Sequence, residues 1–166
     1  MSEADTLILE LLAAERRATD AEIAAIIAQV AQTPFASYVA RVPVRVREDL
    51  LAVGVVCPAR LPSIEWHLLE RVYLDQQWSL NTTKEQYVAD LHLAVQSPVV
   101  EIWTYRYFGR PYAGFIAPSQ TRGAIDSERL IFVAYSPEFG TLTTGFRIAH
   151  RRNVIDANWT AAIRQR

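Results

Sequence analysis

The feature that most constrains this chain is a change in the spacing of its apolar residues near Pro98. Before Pro98 the apolar residues recur at helical spacing, as in the set Ile23, Ile26, Ile27 and Val30. After Pro98 they alternate with polar residues, as in VVEIWTYRY at 99–107. Helical spacing buries one stripe of a helix, whereas alternation buries one face of a strand. The sequence therefore predicts an α+β fold, with N-terminal helices followed by a four-stranded antiparallel β-sheet.

Capping signals place the helices. A first helix is predicted over 4–17, and Thr19 with Glu22 forms a capping box that opens a second helix, which ends at Pro34. Residues 1–35 are thus expected to form a helical hairpin. Its second helix has no basic residue, which favours packing or dimerisation over DNA binding. A third helix is predicted from Pro62 or Ser63 to Asp75.

A second capping box predicts the fourth helix. Thr82 stands three residues before Glu85, and the helix that they open closes at Pro98. Between the second and third helices, residues 38–47 alternate apolar and polar and predict a short strand, which Pro43 would confine to an edge.

Turn chemistry separates the four strands of the sheet. The strands are predicted at 99–107, 112–118, 129–135 and 141–150, with turns at 108–111 and 136–140 and a polar loop at 119–128. Because these connections are short or polar, we expect the strands in meander order. The basic tail, residues 151–166, is predicted to contain a short final helix from Trp159 to Arg164.

Composition bounds the class of protein. A hydrophobic fraction of 51% with 21% charged residues indicates one globular domain over 1–166. No apolar run approaches the roughly 20 residues of a membrane helix, and the N-terminus carries acids where a signal peptide has positive charge, so we expect a cytoplasmic protein without membrane contact. Cys57 is the only cysteine and is interpreted as a buried, inert thiol. The three histidines lack metal-ligand spacing, so no metal and no cofactor are expected.

The charges are unevenly distributed along the chain. Residues 1–98 hold 8 basic and 13 acidic side chains, whereas residues 99–166 hold 9 basic and 5 acidic ones. Sixteen of the seventeen basic residues are arginine, which binds phosphate in a bidentate manner and stacks on bases. This bias is compatible with nucleic-acid binding, but a GC-rich genome produces the same excess of arginine without any function.

Two groups of residues have side chains suited to phosphate chemistry. His67 and Arg71 are four residues apart in the third helix, where a histidine can act as a general base and an arginine can hold a phosphate. The alternative is a surface histidine that makes an ordinary contact. The second group surrounds the end of the last strand and is either a phosphate-binding patch or a solvated strand end: Arg147, His150, Arg151 and Arg152.

Residues 60–150 resemble a known family of folds. The motifs are His67-Leu68 followed by Arg71, Thr-Thr-x-Glu-x-Tyr at 82–87, Val-x-Tyr-Ser-Pro-x-x-Gly at 133–140, and Thr-Thr-Gly-Phe at 143–146. Together they resemble phage- and toxin-associated members of the barnase/EndoU/colicin/RelE superfold. Those proteins are small metal-independent ribonuclease-like domains in which helices precede a four-stranded antiparallel sheet.

The resemblance implies attack of an RNA 2′-hydroxyl on the neighbouring phosphate. His67 would be the base, Arg71 or Arg147 would stabilise the developing charge, and Thr144 would donate a hydrogen bond. The RNA-binding residues that it implies, with the aromatic side chains that could stack on bases, are Phe146, His150, Arg151, Arg152, Trp103, Tyr105 and Tyr107.

One departure from the family pattern keeps other functions open. Many members have a second histidine after the helical arginine, and Val72 stands at that position. A noncatalytic RNA- or protein-binding member of the same fold is therefore the alternative, and an unrelated α+β protein that forms oligomers is a third. The expected partners are RNA, and either a protein inhibitor or a second copy bound through the N-terminal helices.

Overall fold

A computed structural model describes residues 1–119 and 129–166, so the polar loop predicted at 119–128 lies, apart from Ser119, outside the described residues. The chain begins with two helices, α1 (Glu3–Ala14) and α2 (Asp20–Val30). Each is opened by a capping box, Ser2 with Asp5 for α1 and Thr19 with Glu22 for α2. The two predicted N-terminal helices are confirmed, as is the capping box predicted for Thr19 and Glu22.

A small subdomain follows the hairpin. Its elements are β1 (Val39–Arg41), α3 (Val44–Ala52) and β2 (Arg60–Pro62), and β1 pairs with β2 in an antiparallel ribbon. The strand predicted over 38–47 was therefore too long, because α3 begins directly after Pro43. Val46 and Leu50 are four residues apart and both are buried, so helical spacing was hidden within the alternating pattern.

The third predicted helix exists, but its last turn is wide. It consists of α4 (Ser63–Leu69) and a π-helical turn (Glu70–Leu74). The next helix, α5 (Lys84–Val95), starts one residue later than predicted, because its capping box joins Thr83 to Gln86. The hydroxyl of Thr82 instead lies 3.1 Å from that of Ser79.

The main sheet has five antiparallel strands, one more than predicted. They are β3 (Glu101–Tyr107), β4 (Arg110–Pro118), β5 (Leu130–Ser136), β6 (Thr141–Ile148) and β7 (Trp159–Arg164), in the order β6-β5-β4-β3-β7. The predicted meander of β3 to β6 is confirmed. The short helix predicted at 159–164 is wrong, because β3 offers this segment an open edge and pairs with it. A distant partner of this kind leaves no local signal in the sequence.

The two faces of the main sheet are covered differently. One face packs against the helices and contributes Ile102, Phe115, Val133, Tyr135 and Leu142 to the core. The opposite face, which we call the aromatic face, is defined by the side chains of Trp103, Tyr105, Tyr107, Tyr112, Phe132, Phe146 and Trp159. The segment from β6 to β7 contributes Val154 and Ile155 to this second cluster and covers part of the aromatic face.

Side chains close the β6 edge of the sheet. The amide of Gln77 bonds both backbone groups of Arg147: its Oε1 accepts from the Arg147 amide at 2.7 Å, and its Nε2 donates to the Arg147 carbonyl at 3.0 Å. The carbonyl of Gly145 accepts from Arg71 and from the Tyr87 hydroxyl. Both outward backbone groups of Arg147 and the carbonyl of Gly145 are therefore paired with side chains.

Within the described ranges, 1–119 and 129–166, the helices are too short or too polar for any of them to span a bilayer.

Candidate ligand-binding site

An open pocket of about 390 Å³ lies on the aromatic face. Every strand of the main sheet contributes a side chain to its wall, because alternate positions of neighbouring strands point to the same side. Aromatic rings form most of the lining: Tyr105, Tyr107, Tyr112, Phe132, Phe146 and Trp159. Four polar residues join them: Thr143, Thr144, Asn153 and Asp156. The pocket thus combines stacking surfaces with a few hydrogen-bonding groups, as small-molecule and nucleobase sites do.

The rings form an ordered wall. Tyr105 lies parallel to Trp159, with centroids 3.6 Å apart and planes 3° from parallel, and Tyr112 stacks on Tyr105 at 5.7 Å. Gly114 makes this packing possible, since a Cβ atom there would lie 2.9 Å from the Tyr105 ring and 3.1 Å from Phe132. Burial raises the pKa of Tyr105 and of Tyr112, so both phenols are neutral near pH 7.

Arg71 reaches the rim of the pocket around the edge of β6. Its Nη2 donates to Oγ1 of Thr144 at 3.3 Å, its Nε donates to the Gly145 carbonyl at 3.0 Å, and its guanidinium carbon lies 4.9 Å from the centre of the Phe146 ring. Its Nη1 pairs with Glu70 at 2.6 Å and with Asp75 at 2.5 Å. Because the Thr144 oxygen accepts from Arg71, the proton of the Thr144 hydroxyl remains able to donate towards the pocket.

His67 is held away from the pocket wall. Its Nδ1 lies 2.8 Å from the Ser63 carbonyl, its ring stacks on Trp66 at 3.7 Å, and Phe35 meets it edge-on at 5.4 Å. Burial, together with a smaller effect of the Arg71 charge, lowers the pKa of His67 to about 4, against the opposing effect of the hydrogen bond to the Ser63 backbone. His67 is therefore neutral near pH 7, with Nδ1 donating to Ser63 and Nε2 left as an acceptor.

Arg147 lies on the helix-covered side of β6. It is buried, its Nε donates to the Gln77 carbonyl at 3.0 Å, and its Nη1 donates to Ser119 at 2.5 Å. Its guanidinium carbon lies 4.8 Å from the centre of the Trp78 ring. Of the four residues proposed for catalysis, Arg71 and Thr144 are joined by a hydrogen bond. His67 instead bonds to Ser63, and Arg147 bonds to Gln77 and Ser119.

One of the four predicted RNA-binding residues lines the pocket, and the other three precede a lining residue in the sequence. Phe146 lines it, and His150, Arg151 and Arg152 are exposed beside Asn153, which also lines it. Arg151 forms an ion pair with Glu101 at 3.2 Å. Of the three aromatic residues expected to stack on bases, Tyr105 and Tyr107 line the pocket. Trp103 lies beside it on the same face, edge-on to Trp159 at 6.2 Å.

Several pocket residues were missed from the sequence. Trp159 was assigned to a helix, and Asn153 and Asp156 belong to an irregular segment without a pattern. Tyr112 and Phe132 were recognised only as strand residues. Gly114 did carry a signal, because a glycine inside a strand often marks a close approach of neighbouring groups.

The thiol of Cys57 does not line this pocket. Cys57 is half-buried rather than fully buried, and burial raises the pKa of its thiol. Among the residues that the structure describes, no group of three or more His, Cys, Asp or Glu side chains is arranged to hold a metal ion.

Comparisons of this chain with protein-family models, with curated proteins and with solved structures give no match.

Proposed function

We propose that the protein binds single-stranded RNA and that one base of the RNA occupies the pocket on the aromatic face. The observation that carries this proposal is the ring-lined pocket of about 390 Å³, which opens on one side of an antiparallel sheet. Its volume falls within the range of about 300–1,000 Å³ that is usual for ligand pockets. A planar base fits between aromatic walls, and stacking on such walls contributes about 1–3 kcal/mol per base.

The rim of the pocket supplies a donor for a phosphate. The Thr144 hydroxyl accepts a hydrogen bond from the charged Arg71, which makes its own proton a stronger donor. Arg71 itself is buried and paired with two carboxylates, so its charge acts on a ligand through Thr144. Arg152 lies exposed next to Asn153, where it can contact the RNA backbone from outside.

Ring substitution tests the proposal. Fluorescence titration of the wild type with a single-stranded RNA hexamer is expected to give saturable binding, and a duplex of the same sequence is expected to bind more weakly. Tyr112→Leu keeps an apolar side chain but removes the ring, so affinity should fall by about 5- to 150-fold, the equivalent of one stacked base. Tyr73→Leu, on a half-exposed tyrosine outside the pocket, is the matched control. Unchanged affinity in Tyr112→Leu, or no binding by the wild type, would overturn the proposal.

Cleavage of the bound RNA is a second candidate function. The hydrogen bond between Arg71 and Thr144 at the pocket rim favours it, because the same pair could stabilise charge that develops on a phosphate. The resemblance implies His67 as the base, and because its ring is held against Ser63 and Trp66 away from the pocket wall, the third helix would have to shift for its Nε2 to reach a bound phosphate. The reaction would use side chains and no metal, as the resemblance implies.

A further inference from the structure

We infer that the RNA site extends beyond the pocket onto the tips of two hairpins, so that the preferred ligand is a strand of several nucleotides rather than a single nucleotide. This inference rests on the proposed function. The extension, which we call the tip subsite, consists of Phe108 and Phe139, with Arg110 over the Phe139 ring and Arg106 bonded to the first turn at the Gly109 carbonyl. Its rings would stack on the base next to the one in the pocket.

The two tips lie at the same end of the sheet. Phe108 is in the turn between β3 and β4, and Phe139 is in the turn between β5 and β6. The guanidinium carbon of Arg110 lies 6.0 Å from the centre of the Phe139 ring and connects the tips. The Phe108 ring meets Tyr107 edge-on at 4.6 Å, and Tyr107 lines the pocket. The aromatic surface therefore continues from the pocket to the tips.

The backbone conformation of Phe108 is unfavourable for a bulky residue, which points to a binding role for its ring. Its exposed fraction is 75% and that of Phe139 is 61%, so neither ring contributes much to the core. Phe108 also adopts φ 50°, in the left-handed region, and Gly109 follows at φ 78°. Asparagine, aspartate or glycine is preferred at such turn positions, and a bulky residue there is strained. An exposed ring in a strained position is typical of a binding surface.

The charges of the tip subsite fit a phosphodiester chain. Arg106 and Arg110 lie on either side of the first turn, and in residues 1–119 and 129–166 no carboxylate forms an ion pair with either of them. Glu138 is the acidic residue of the second turn, so two positive charges face one negative charge. Two guanidinium groups that no carboxylate of residues 1–119 and 129–166 pairs with, one of them over the exposed Phe139 ring, match alternating phosphates and bases, which is why we favour RNA over a protein partner here.

The test compares ligands of two lengths. For the wild type, a tetranucleotide of RNA should bind at least 5-fold more tightly than a ribonucleoside 5′-monophosphate. Phe108→Asn suits the left-handed turn, so the variant should fold with an unchanged or higher melting temperature. It should lose about 5- to 150-fold in affinity for the tetranucleotide and keep the wild-type affinity for the mononucleotide. Leu80→Asn, on an exposed side chain outside both sites, is the control and should bind both ligands as the wild type does.

The outcomes separate this inference from the proposed function. Equal affinity of the wild type for the two ligands would overturn the tip subsite while leaving the pocket intact. A loss of affinity for both ligands in Phe108→Asn would also overturn it, because the ring would then act on the pocket itself. If neither ligand binds to the wild type, the proposed function fails and the tip subsite fails with it.

Discussion

Arg71 donates a hydrogen bond to the hydroxyl of Thr144 across the edge of β6, and this contact joins the wide π turn of the third helix to the rim of the pocket. The same guanidinium bonds the Gly145 carbonyl and stands over the Phe146 ring. Three consecutive residues of β6 are therefore fixed by one side chain from another element. Two of the three, Thr144 and Phe146, line the pocket.

Replacing Arg71 should destabilise the fold. In Arg71→Met, two carboxylates lose their cationic donor, and the Gly145 carbonyl keeps only the Tyr87 hydroxyl. Breaking a buried ion pair costs about 3–5 kcal/mol, and the partial exposure of Glu70 and Asp75 puts the expected loss at the lower end, about 3 kcal/mol. Chemical denaturation measures it. Arg152→Met, on an exposed arginine, should change stability by less than about 0.5 kcal/mol. A loss below about 1 kcal/mol in Arg71→Met would contradict this account.

Leu91 and Gly145 should show a measurable energetic coupling. Leu91 is fully buried against the sheet, and a Cβ atom on Gly145 would lie 2.4 Å from its Cδ2. Gly145→Ala is therefore expected to cost about 1–3 kcal/mol through overpacking. Leu91→Ala alone should cost about 2–5 kcal/mol through the lost core side chain.

The double variant is expected to be more stable than the sum of the two losses implies, since the smaller residue at 91 makes room for the methyl group at 145. A coupling of about 0.5–3 kcal/mol is the range for residues in contact. Leu93→Ala, on the half-exposed side of α5, is the control and should cost little. Strict additivity would show that the backbone of β6 shifts instead of pressing on Leu91.

His67 should make stability depend on pH in a defined window. Burial lowers its folded pKa to about 4, whereas the unfolded chain has the ordinary value of about 6.5. Between about pH 6.5 and 4 the histidine is protonated in the unfolded state but not in the folded state. The free energy of unfolding should therefore decrease as pH falls through this window, by up to about 1.4 kcal/mol per pH unit. Above about pH 6.5 this histidine should have no effect.

His67→Phe keeps a ring against Trp66 and removes the titrating group, so its stability should fall less steeply between pH 6.5 and 4. Parallel stability curves for the variant and the wild type would refute the assignment.

The carboxylate of Glu22 affects stability at lower pH. A hydrogen bond from Arg16 lowers the pKa of Glu22 to about 2, so the stability that its ionised form contributes is lost between about pH 4.5 and 2.

If the protein cleaves RNA, cleavage should persist in EDTA, because the proposed reaction uses only side chains. His67→Ala should then reduce the rate by about 10²–10⁴-fold, the usual contribution of a positioned base. Since the base must be unprotonated, the rate should fall as pH drops towards about 4, not near 6.5. Gel analysis of a labelled RNA measures this. RNA binding without cleavage would support the noncatalytic function and contradict the catalytic one.

Local signals in the sequence predicted the elements that local interactions determine. The capping box of Thr19 and Glu22 depends on residues three apart, and the meander of β3 to β6 depends on turns between neighbouring strands. The identity of β7 depends on an edge of β3 more than 50 residues earlier, which is why alternation alone did not reveal it. Alternation also predicted two faces for the sheet without indicating which one the helices would cover.

The candidate site was predicted only in part, because the helical spacing on which its prediction rested does not hold along the whole third helix. An ideal helix places His67 and Arg71 on one face, four residues apart. From Glu70 onward the chain forms a π turn, so residues four apart no longer lie on one face. Arg71 therefore points to the edge of β6, whereas His67 contacts Ser63 and Phe35. No pattern in the sequence indicated the π turn. Arg71 and Thr144, which the sequence placed in one candidate site, are joined by a hydrogen bond.

The amide of Gln77 takes the place that a residue of a sixth strand would occupy beside Arg147. A side-chain amide gives β6 one donor and one acceptor but has no further backbone groups with which another strand could pair. The sheet therefore ends at this position. Growth of a sheet from copy to copy without limit requires two open edges in each copy. In residues 1–119 and 129–166, β7 is the opposite edge of this sheet, so an assembly that pairs β7 of one copy with β7 of another would close after two molecules.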